Sequence, residues 1–203
     1  MNARSRPAPR PRLRERLRSA TKASILQAAE EAFIEAGMDS ARMESIAARA
    51  GVAVGTLYNY FEDREALVGA LVQDRRAALL ARIDAALGRA AGLPFEKVLD
   101  AFLQALFDHW SAHRGILAQA IEAGRSERGR RALIDEIVRR AEAVLATGRS
   151  AGRVRPDENG DQAALLVGMV RGLLVKDVVQ GERALSVRGP RRVAEVFLGG
   201  VGT

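Results

Sequence analysis

The residues whose types and spacing point to a definite chemistry lie in the segment MESIAARAGVAVGTLYNY, residues 43–60. Apolar residues recur there at helical spacing in two short runs, and Gly51 stands between the runs, where a tight turn needs a positive φ. The predicted buried side consists of Ile46, Ala47, Ala50, Val52, Leu57 and Tyr60. Two short helices on such a turn are typical of a helix-turn-helix, whose second helix enters the major groove of DNA. The alternative interpretation is an ordinary helical hairpin in a protein core.

The predicted recognition helix runs from Val54 to Tyr60, and its polar side chains suit the edges of DNA bases. Asn59 is the best candidate for direct base reading, because an amide can form two hydrogen bonds with adenine. Thr56 can bond a phosphate or a base edge, and Gly55 allows the backbone to approach DNA closely. The residues expected to meet the groove from the start of this helix are Ala53, Val54, Gly55 and Thr56.

The residues around this motif extend the pattern into a family resemblance. A helix with Ile25, Ala29 and Phe33 on one face precedes the motif, and Gly37 is its expected C-cap. The string TKASILQAAEEAFIEAGMDSARMESIAARAGVAVGTLYNYFEDREALVGAL resembles the N-terminal domain of the TetR family of transcriptional regulators. The resemblance covers about residues 20 to 71. It implies a DNA-binding domain followed by a larger helical domain that binds a small-molecule effector and forms a homodimer.

The resemblance also implies roles for single residues. Tyr58 resembles the family tyrosine that meets bases or backbone, and Arg64 stands where the family usually has a phosphate-binding lysine. Tyr60 is expected to donate its hydroxyl to a phosphate, although for both tyrosines a plain core role is the alternative. Two positions depart from the family pattern. Val54 is apolar where many relatives are polar, and Arg42 replaces a capping threonine, so Ser40 caps instead or Arg42 reaches a phosphate.

Positive charge is concentrated before this domain. Residues 1–20 contain seven arginines and one glutamate, whereas residues 21–70 contain four basic and eight acidic residues. We expect residues 1–19 to form a flexible arm whose Arg10, Arg12, Arg14 and Arg16 follow phosphates or enter a minor groove, and its part from about Leu13 could extend the first helix. A solvated tail is the alternative interpretation. Thr21 and Lys22 are expected to begin the first helix, where free N–H groups favour phosphate.

Helical patterns continue to the end of the chain, so the predicted fold class is all-α. We predict a helix-turn-helix domain over residues 20–66 and a ligand-binding and dimerisation domain over residues 67–203. Asp63 is the expected N-cap of a long helix from Arg64 to about residue 91, followed by helices at about 94–112, 114–123, 127–147, 161–180 and 190–198. No stretch alternates in the way that would predict a sheet.

The helix at 161–180 is the expected dimerisation element. It combines a wide apolar face with small residues at i, i+4 spacing, and small residues allow another helix to approach closely. The resemblance favours pairing of the last two long helices into a four-helix bundle, whereas packing entirely within one subunit is the alternative. The predicted interface residues are Ala164, Leu165, Gly168, Met169, Gly172, Leu173, Val193 and Phe197.

The resemblance implies an effector pocket among the middle helices, and the chain does not identify the effector. Its expected lining is Phe102, Leu106, Phe107, His109, Trp110, Leu117 and Ile121, for which a plain core role is the alternative. His109 and His113 are spaced i, i+4, as in metal sites, but two histidines without cysteine are a thin ligand set, and we expect no metal and no cofactor.

Composition limits the other classes of function. The absence of Cys excludes disulfides and thiol catalysis and suits a reducing cytoplasm. No apolar run reaches the length of a membrane span, and no constellation of catalytic residues is recognisable, so we expect neither a membrane protein nor an enzyme. The expected partners are double-stranded operator DNA, a small-molecule effector and a second copy of the chain. A helical adaptor without specific DNA binding is the alternative function.

Overall fold

A computed structural model describes residues 13–37, 40–122, 127–180 and 185–202, without the side chains of residues 116–122, 127–130, 178–180, 185–187 and 201. The elements within those ranges are helices, and an isolated bridge joins Val154 to Gly202. The helices are α1 (Leu13–Ala36), α2 (Met43–Arg49), α3 (Val54–Tyr60), α4 (Arg64–Ala90), α5 (Phe95–Glu122), α6 (Glu127–Ser150), α7 (Gln162–Gln180) and α8 (Leu185–Val201). The all-α prediction is confirmed.

The chain forms two compact units, of which the first ends at Leu71 and the second begins at Val72. Helix α4 contributes residues to both. The core of the first unit is made by side chains that are fully buried on α1, α2, α3 and the first turns of α4. They are Ile25, Ala29, Phe33, Ile46, Ala47, Leu57, Leu67 and Leu71. These are the apolar positions of the sequence pattern, so the burial of one face of each helix holds the unit together.

Gly51 forms the turn between α2 and α3, as its position in the sequence predicts. Its φ is 69°, a conformation that costs a residue with a side chain roughly 1–2 kcal/mol. The Gly51 N–H donates to the carbonyl of Ala48 at 3.1 Å, and the Val52 N–H donates to the carbonyl of Ala47 at 3.0 Å. This pair of hydrogen bonds is the Schellman arrangement, which ends α2 and directs the chain into α3.

Helix α1 begins at Leu13, before residue 20, where the predicted helix-turn-helix domain starts. The structure has helix from Leu13, so residues 13–19 of the expected flexible arm are helical, as a helical extension from about Leu13 would require. These residues, LRERLRS, are mostly strong helix formers, and no Gly or Pro interrupts the helix before Gly37. Residues 1–12, with Arg10 and Arg12, lie outside the described residues.

The second unit is built around α5, which packs against α6, α7 and α8. Phe102, Leu103 and Phe107 of α5 are completely buried at its centre. Gly189 of α8 lies so close to the ring of Phe107 that a Cβ there would collide with it. A glycine at this position therefore lets α8 pack directly on the aromatic centre of the core.

Several helix boundaries agree with the sequence and several differ. Asp63 caps α4 as predicted, because its carboxylate accepts a hydrogen bond from the Ala66 N–H at 2.7 Å. Two helices were predicted to meet at residue 113, and the continuous span α5 is indeed broken there, because His113 has non-helical angles (φ −120°, ψ 18°). Helix α8 begins at Leu185, five residues before the predicted start, with Pro190 inside it. Within the described ranges, no helix combines the length and the apolar character that crossing a membrane would need.

Candidate DNA-binding interface

Helix α3 buries one side chain and presents most of the others to solvent. Leu57 is fully buried and anchors the helix in the first unit. Val54 and Tyr58 are 37% and 45% exposed, and Asn59 is also exposed. Tyr58 is therefore a surface residue, and the alternative core role does not hold for it. The exposed face combines an apolar, an aromatic and an amide side chain without a charge, which suits contact with base edges more than with phosphates.

The beginning of α3 offers an open backbone. Ala53 is its N-cap in extended conformation (φ −66°, ψ 148°), with no side-chain hydrogen bond closing the end of the helix. No other atom lies within 4 Å of a Cβ built on Gly55, and the neighbouring Thr56 is half-buried. The surface around Gly55 is therefore free for a close approach, as the sequence predicts.

Tyr60, at the end of α3, connects α3 with α1. It is half-buried, and its ring centroid lies 6.4 Å from that of Phe61. The guanidinium carbon of Arg18, on α1, lies 5.9 Å from the centroid of the same ring, within the range of a cation–π interaction. The sequence interpretation did not single out Arg18. The available signal was the i, i+4 spacing of Arg14, Arg18 and Lys22 in a segment of strong helix formers.

Arg42 is the exposed N-cap residue of α2. Its backbone is extended (φ −89°, ψ 141°), and no side-chain hydrogen bond caps the helix. Capping by Ser40 is therefore not observed. The guanidinium of Arg42 remains on the surface, consistent with the prediction that this residue can reach a phosphate.

Arg64 bonds a main-chain acceptor of its own unit. Its Nη2 donates a hydrogen bond to the main-chain carbonyl of Ala41, and the side chain is half-buried. The contact ties the start of α4 to the segment before α2. The bond uses one of the five N–H donors of the guanidinium, so Arg64 holds this segment in position, and its contact with a phosphate stays a prediction. The sequence cannot reveal this, because the acceptor is a main-chain atom 23 residues away.

Thr21 and Lys22 differ from the prediction. They lie in the third turn of α1, so their N–H groups are within the helix and are not free to bind phosphate. The Thr21 hydroxyl donates to the carbonyl of Leu17 at 3.0 Å. Lys22 is exposed and can contact DNA only through its side chain.

Arg49 is occupied by acidic residues of its own unit. Its guanidinium bonds Glu35 of α1, with Nη1 donating to Oε1 at 2.8 Å, and it also lies 3.5 Å from a Glu31 oxygen. The hydrogen bond from Arg49 holds the pKa of Glu35 below its usual value. Of the four basic residues in 21–70, Arg49 and Arg64 are therefore engaged internally, and Lys22 and Arg42 remain on the surface.

Comparison with known proteins identifies this domain. Residues 25–71 match the family model described as bacterial regulatory proteins of the tetR family. An uncharacterised HTH-type transcriptional regulator of Bacillus subtilis, YvdT, is 36% identical over 94 residues, which are 46% of this chain and 47% of the relative. The chain thus spans about half the length of that relative. The match covers the N-terminal domain, and it is this domain that is of the TetR family type.

Solved structures of TetR-type regulators share the fold of the whole chain. A TetR-family regulator from Mesorhizobium loti superimposes with a TM-score of 0.73 at 22% identity, covering 91% of this chain and 98% of its own. SmeT, the repressor of the Stenotrophomonas maltophilia multidrug efflux pump SmeDEF, gives a TM-score of 0.69 at 22% identity and covers 90% of both chains. The chain therefore combines an N-terminal helix-turn-helix domain of the TetR type with a second helical unit, in the fold of these regulators.

The second unit buries the residues predicted to line an effector pocket. Phe102, Leu106, Phe107, His109 and Trp110 are each at most 7% exposed, and the side chains of Leu117 and Ile121 lie outside the described residues. Two surface grooves of about 390 and 320 Å³ lie elsewhere on this unit. The first is lined partly by Arg139, Glu142 and Arg149 and the second partly by Arg82, Arg89 and Lys97. Among the described side chains, those predicted to line the effector pocket belong to the core, and none of them lines either groove.

A buried polar cluster lies beside this aromatic core. Asp177 of α7 is 2% exposed, and its Oδ2 accepts hydrogen bonds from Trp110 Nε1 at 3.1 Å and from Arg114, whose Nε lies 2.9 Å away. Arg114 also donates to the Asp177 carbonyl at 2.9 Å. Asp177 Oδ1 has no hydrogen-bond partner among the described residues. Arg114 is the residue after the break at His113. These bonds therefore hold the part of α5 that follows the break against α7.

His109, the residue before Trp110 on α5, is buried. Its ring centroid lies 4.7 Å from that of His113. Burial, together with the positive charges of His113, Arg82 and Arg75, lowers the pKa of His109 to about 4. His109 is therefore neutral near pH 7. In the ranges that the structure covers, no three potential ligands gather around a possible metal position.

The predicted dimerisation residues divide into two groups. Ala164, Leu165, Gly168 and Gly172 lie on an exposed stripe of α7, and Leu165 is 55% exposed. Val175 of α7 and Val196 of α8, which the sequence interpretation did not select, are also exposed, at 38% and 60%. The other predicted residues pack inward: Met169 and Leu173 are partly buried, and Val193 and Phe197 are buried in the core of their own unit.

Proposed function

We propose that this TetR-family protein is a repressor that binds a palindromic operator in double-stranded DNA as a homodimer and is released by a small-molecule effector. The observation that carries the proposal is the exposed, uncharged face of α3, held by Leu57 beside the turn at Gly51. In this proposal Asn59, Tyr58, Val54 and Gly55 meet the groove, while Arg42 and Lys22 bind phosphates. A DNA-binding function places the protein in the cytoplasm.

The exposed stripe on α7 supports the homodimer. Glycine inside a helix costs about 1 kcal/mol relative to alanine, and close packing is the usual compensation. A Cβ built on Gly168 or Gly172 meets nothing within 4 Å, so these glycines are not required for packing within the subunit. A second copy of α7 against this stripe, with Leu165 and Val175 beside it, would explain them. Two recognition helices related by a two-fold axis would then read a palindrome.

The polar cluster around Asp177 supports an effector site in the second unit. Small-molecule sites combine apolar walls with a few convergent polar groups, and Trp110, Arg114 and Asp177 are such groups beside Phe107 and Leu106. An effector that prefers a different arrangement of these helices would shift the population of states. Because α4 contains residues of both units, a new position of α4 changes the spacing of the two recognition helices.

Selection from a library of random duplexes tests the DNA-binding proposal without knowledge of the operator. The full-length protein is immobilised, and bound duplexes are amplified and sequenced over several rounds. The proposal predicts enrichment of one sequence with two inverted half-sites, whose centres are about 10 base pairs apart or a multiple of that spacing. A library that stays random would contradict it and would favour a helical adaptor without specific DNA binding.

A further inference from the structure

The first unit carries too little available positive charge on the helix-turn-helix itself for tight binding to DNA. Residues 21–70 contain four basic and eight acidic residues, and two of the basic residues, Arg49 and Arg64, bond groups inside the unit. Helix α3 has no charged residue. Because phosphate neutralisation supplies much of the affinity for DNA, other positive groups must border the groove.

The beginning of α1 supplies such groups on one face. At 100° per residue, Arg14, Arg18 and Lys22 lie within a sector of about 80°, whereas Arg16 lies about 160° from Arg18. All four side chains are exposed. The contact of Arg18 with Tyr60 fixes the direction of this face, because it places the sector that contains Arg14 and Lys22 on the side of α1 next to the end of α3.

Tyr60 also restricts the conformations of the Arg18 side chain. A surface arginine normally has many rotamers, and holding one of them costs conformational entropy. The ring of Tyr60, 5.9 Å from the Arg18 guanidinium carbon, offers a flat platform for a cation and is itself half-buried against the unit. A cation–π contact uses none of the N–H donors of the guanidinium, and those donors match the geometry of a phosphate.

We infer that the α1 face made by Arg14, Arg18 and Lys22 is a phosphate-binding surface that continues the recognition helix, with Arg18 held in place by Tyr60. This inference rests on the proposed function, since it assumes that α3 meets DNA. It assigns a DNA contact to Arg18 and gives Tyr60 a role through its ring as well as its hydroxyl.

The test compares two arginines of the same helix. Affinity of the full-length protein for the selected duplex is measured by fluorescence anisotropy over a series of salt concentrations. Arg18→Ala removes one phosphate contact per protomer, so the slope of log K against log salt should become shallower by about 2 per dimer. At 0.1 M salt this corresponds to a tenfold to hundredfold loss of affinity. Arg16→Ala, which removes the same charge from the opposite face, should change the slope by much less.

Variants of Tyr60 test the platform. Tyr60→Phe keeps the ring and should leave the effect of Arg18→Ala unchanged, whereas Tyr60→Leu should weaken binding and make Arg18→Ala nearly silent in that background. Circular dichroism on each variant verifies that the helices are retained. Equal losses for Arg16→Ala and Arg18→Ala, or no loss for Arg18→Ala, would overturn the phosphate-binding surface. A full effect of Arg18→Ala with Tyr60→Leu present would overturn the role of the ring. Failure of the wild-type protein to select any duplex would instead reject the proposed function.

Discussion

Asn59 is the residue at which base discrimination should be most sensitive to substitution. It is exposed on α3, and its amide is the only side chain of that helix that can form a bidentate pair with a base. Asn59→Ala should weaken binding to the selected duplex by about 1–3 kcal/mol and leave binding to a scrambled duplex nearly unchanged. Competition anisotropy with both duplexes measures the difference. Gln73→Ala, an exposed amide outside the first unit, is the matched control. Parallel losses on the two duplexes would show that Asn59 does not read bases.

His109 should make the stability of the second unit depend on pH. Its pKa is lowered to about 4 in the folded protein, mainly by burial, against an ordinary value of about 6.5. Between these values the unfolded chain binds a proton that the folded chain does not, so stability falls as the pH falls. We expect a contribution of about 2 kcal/mol to be lost between pH 7 and pH 4.5.

Urea unfolding of the wild-type protein and of His109→Gln, at several pH values in this window, measures the contribution of His109. Carboxylates with lowered pKa values, such as Asp84 beside Arg140, contribute to both proteins and cancel in the comparison. The variant should therefore lose less stability on acidification than the wild-type protein. Parallel curves would mean that His109 is not buried in its neutral form.

At the scale of elements, the exposed glycines of α7 separate packing within the chain from packing between chains. A Cβ built on Gly172 meets nothing within 4 Å in the subunit and the position is exposed, so Gly172→Leu should keep the helix content and gain helix propensity. Between two copies of α7 the same side chain should overpack the contact at a cost of roughly 1–3 kcal/mol. Light scattering after size-exclusion chromatography at several concentrations should show a weakened dimer.

Gly88→Leu is the control for this prediction, because Gly88 is also an exposed helical glycine with nothing within 4 Å of its Cβ. It should leave the oligomeric state unchanged. If Gly172→Leu and Gly88→Leu behaved alike, the stripe on α7 would not be an interface between copies.

Elements governed by local pattern were predictable from the sequence. The helices of the helix-turn-helix, the turn at Gly51 and the cap at Asp63 follow from apolar spacing, a required positive φ and a short side-chain hydrogen bond, and each of these signals lies within a few residues. Features that depend on distant partners were not predictable. Arg64 turns toward the carbonyl of Ala41, and Asp177 meets Trp110 across 67 residues of sequence.

Helix boundaries were predicted less well where the helix propensity of a segment disagrees with its start and stop signals. The arm over residues 1–19 is predicted to be flexible at its beginning and able to extend the first helix from about Leu13, and the helix does begin at Leu13. Helix α8 begins at Leu185 and runs through Pro190, whereas the sequence predicts its start at Pro190. Proline favours the first turn of a helix, but Pro190 is the sixth residue of α8, beyond the first four N–H groups that have no partners within a helix.

At the scale of the whole molecule, the distribution of charge determines how the protein should meet DNA. If each protomer contributes Arg14, Arg18, Lys22 and Arg42, a dimer makes about eight phosphate contacts, and a complex of that size loses about 10³–10⁵ in affinity between 50 and 200 mM salt. Base discrimination then depends on contacts made by the uncharged face of α3, and those contacts are nearly insensitive to salt. Affinity and specificity are thus assigned to different helices.

The measurement that tests this most directly is a titration of the selected palindromic duplex with the full-length protein, at 50 and 200 mM salt, with the molar mass of the complex determined in parallel. We expect saturation at two protomers per duplex, a steep loss of affinity at the higher salt concentration and much weaker binding to a scrambled duplex at both. Weak binding of equal strength to both duplexes, or saturation at one protomer per duplex, would contradict a dimeric repressor that reads a palindrome through α3.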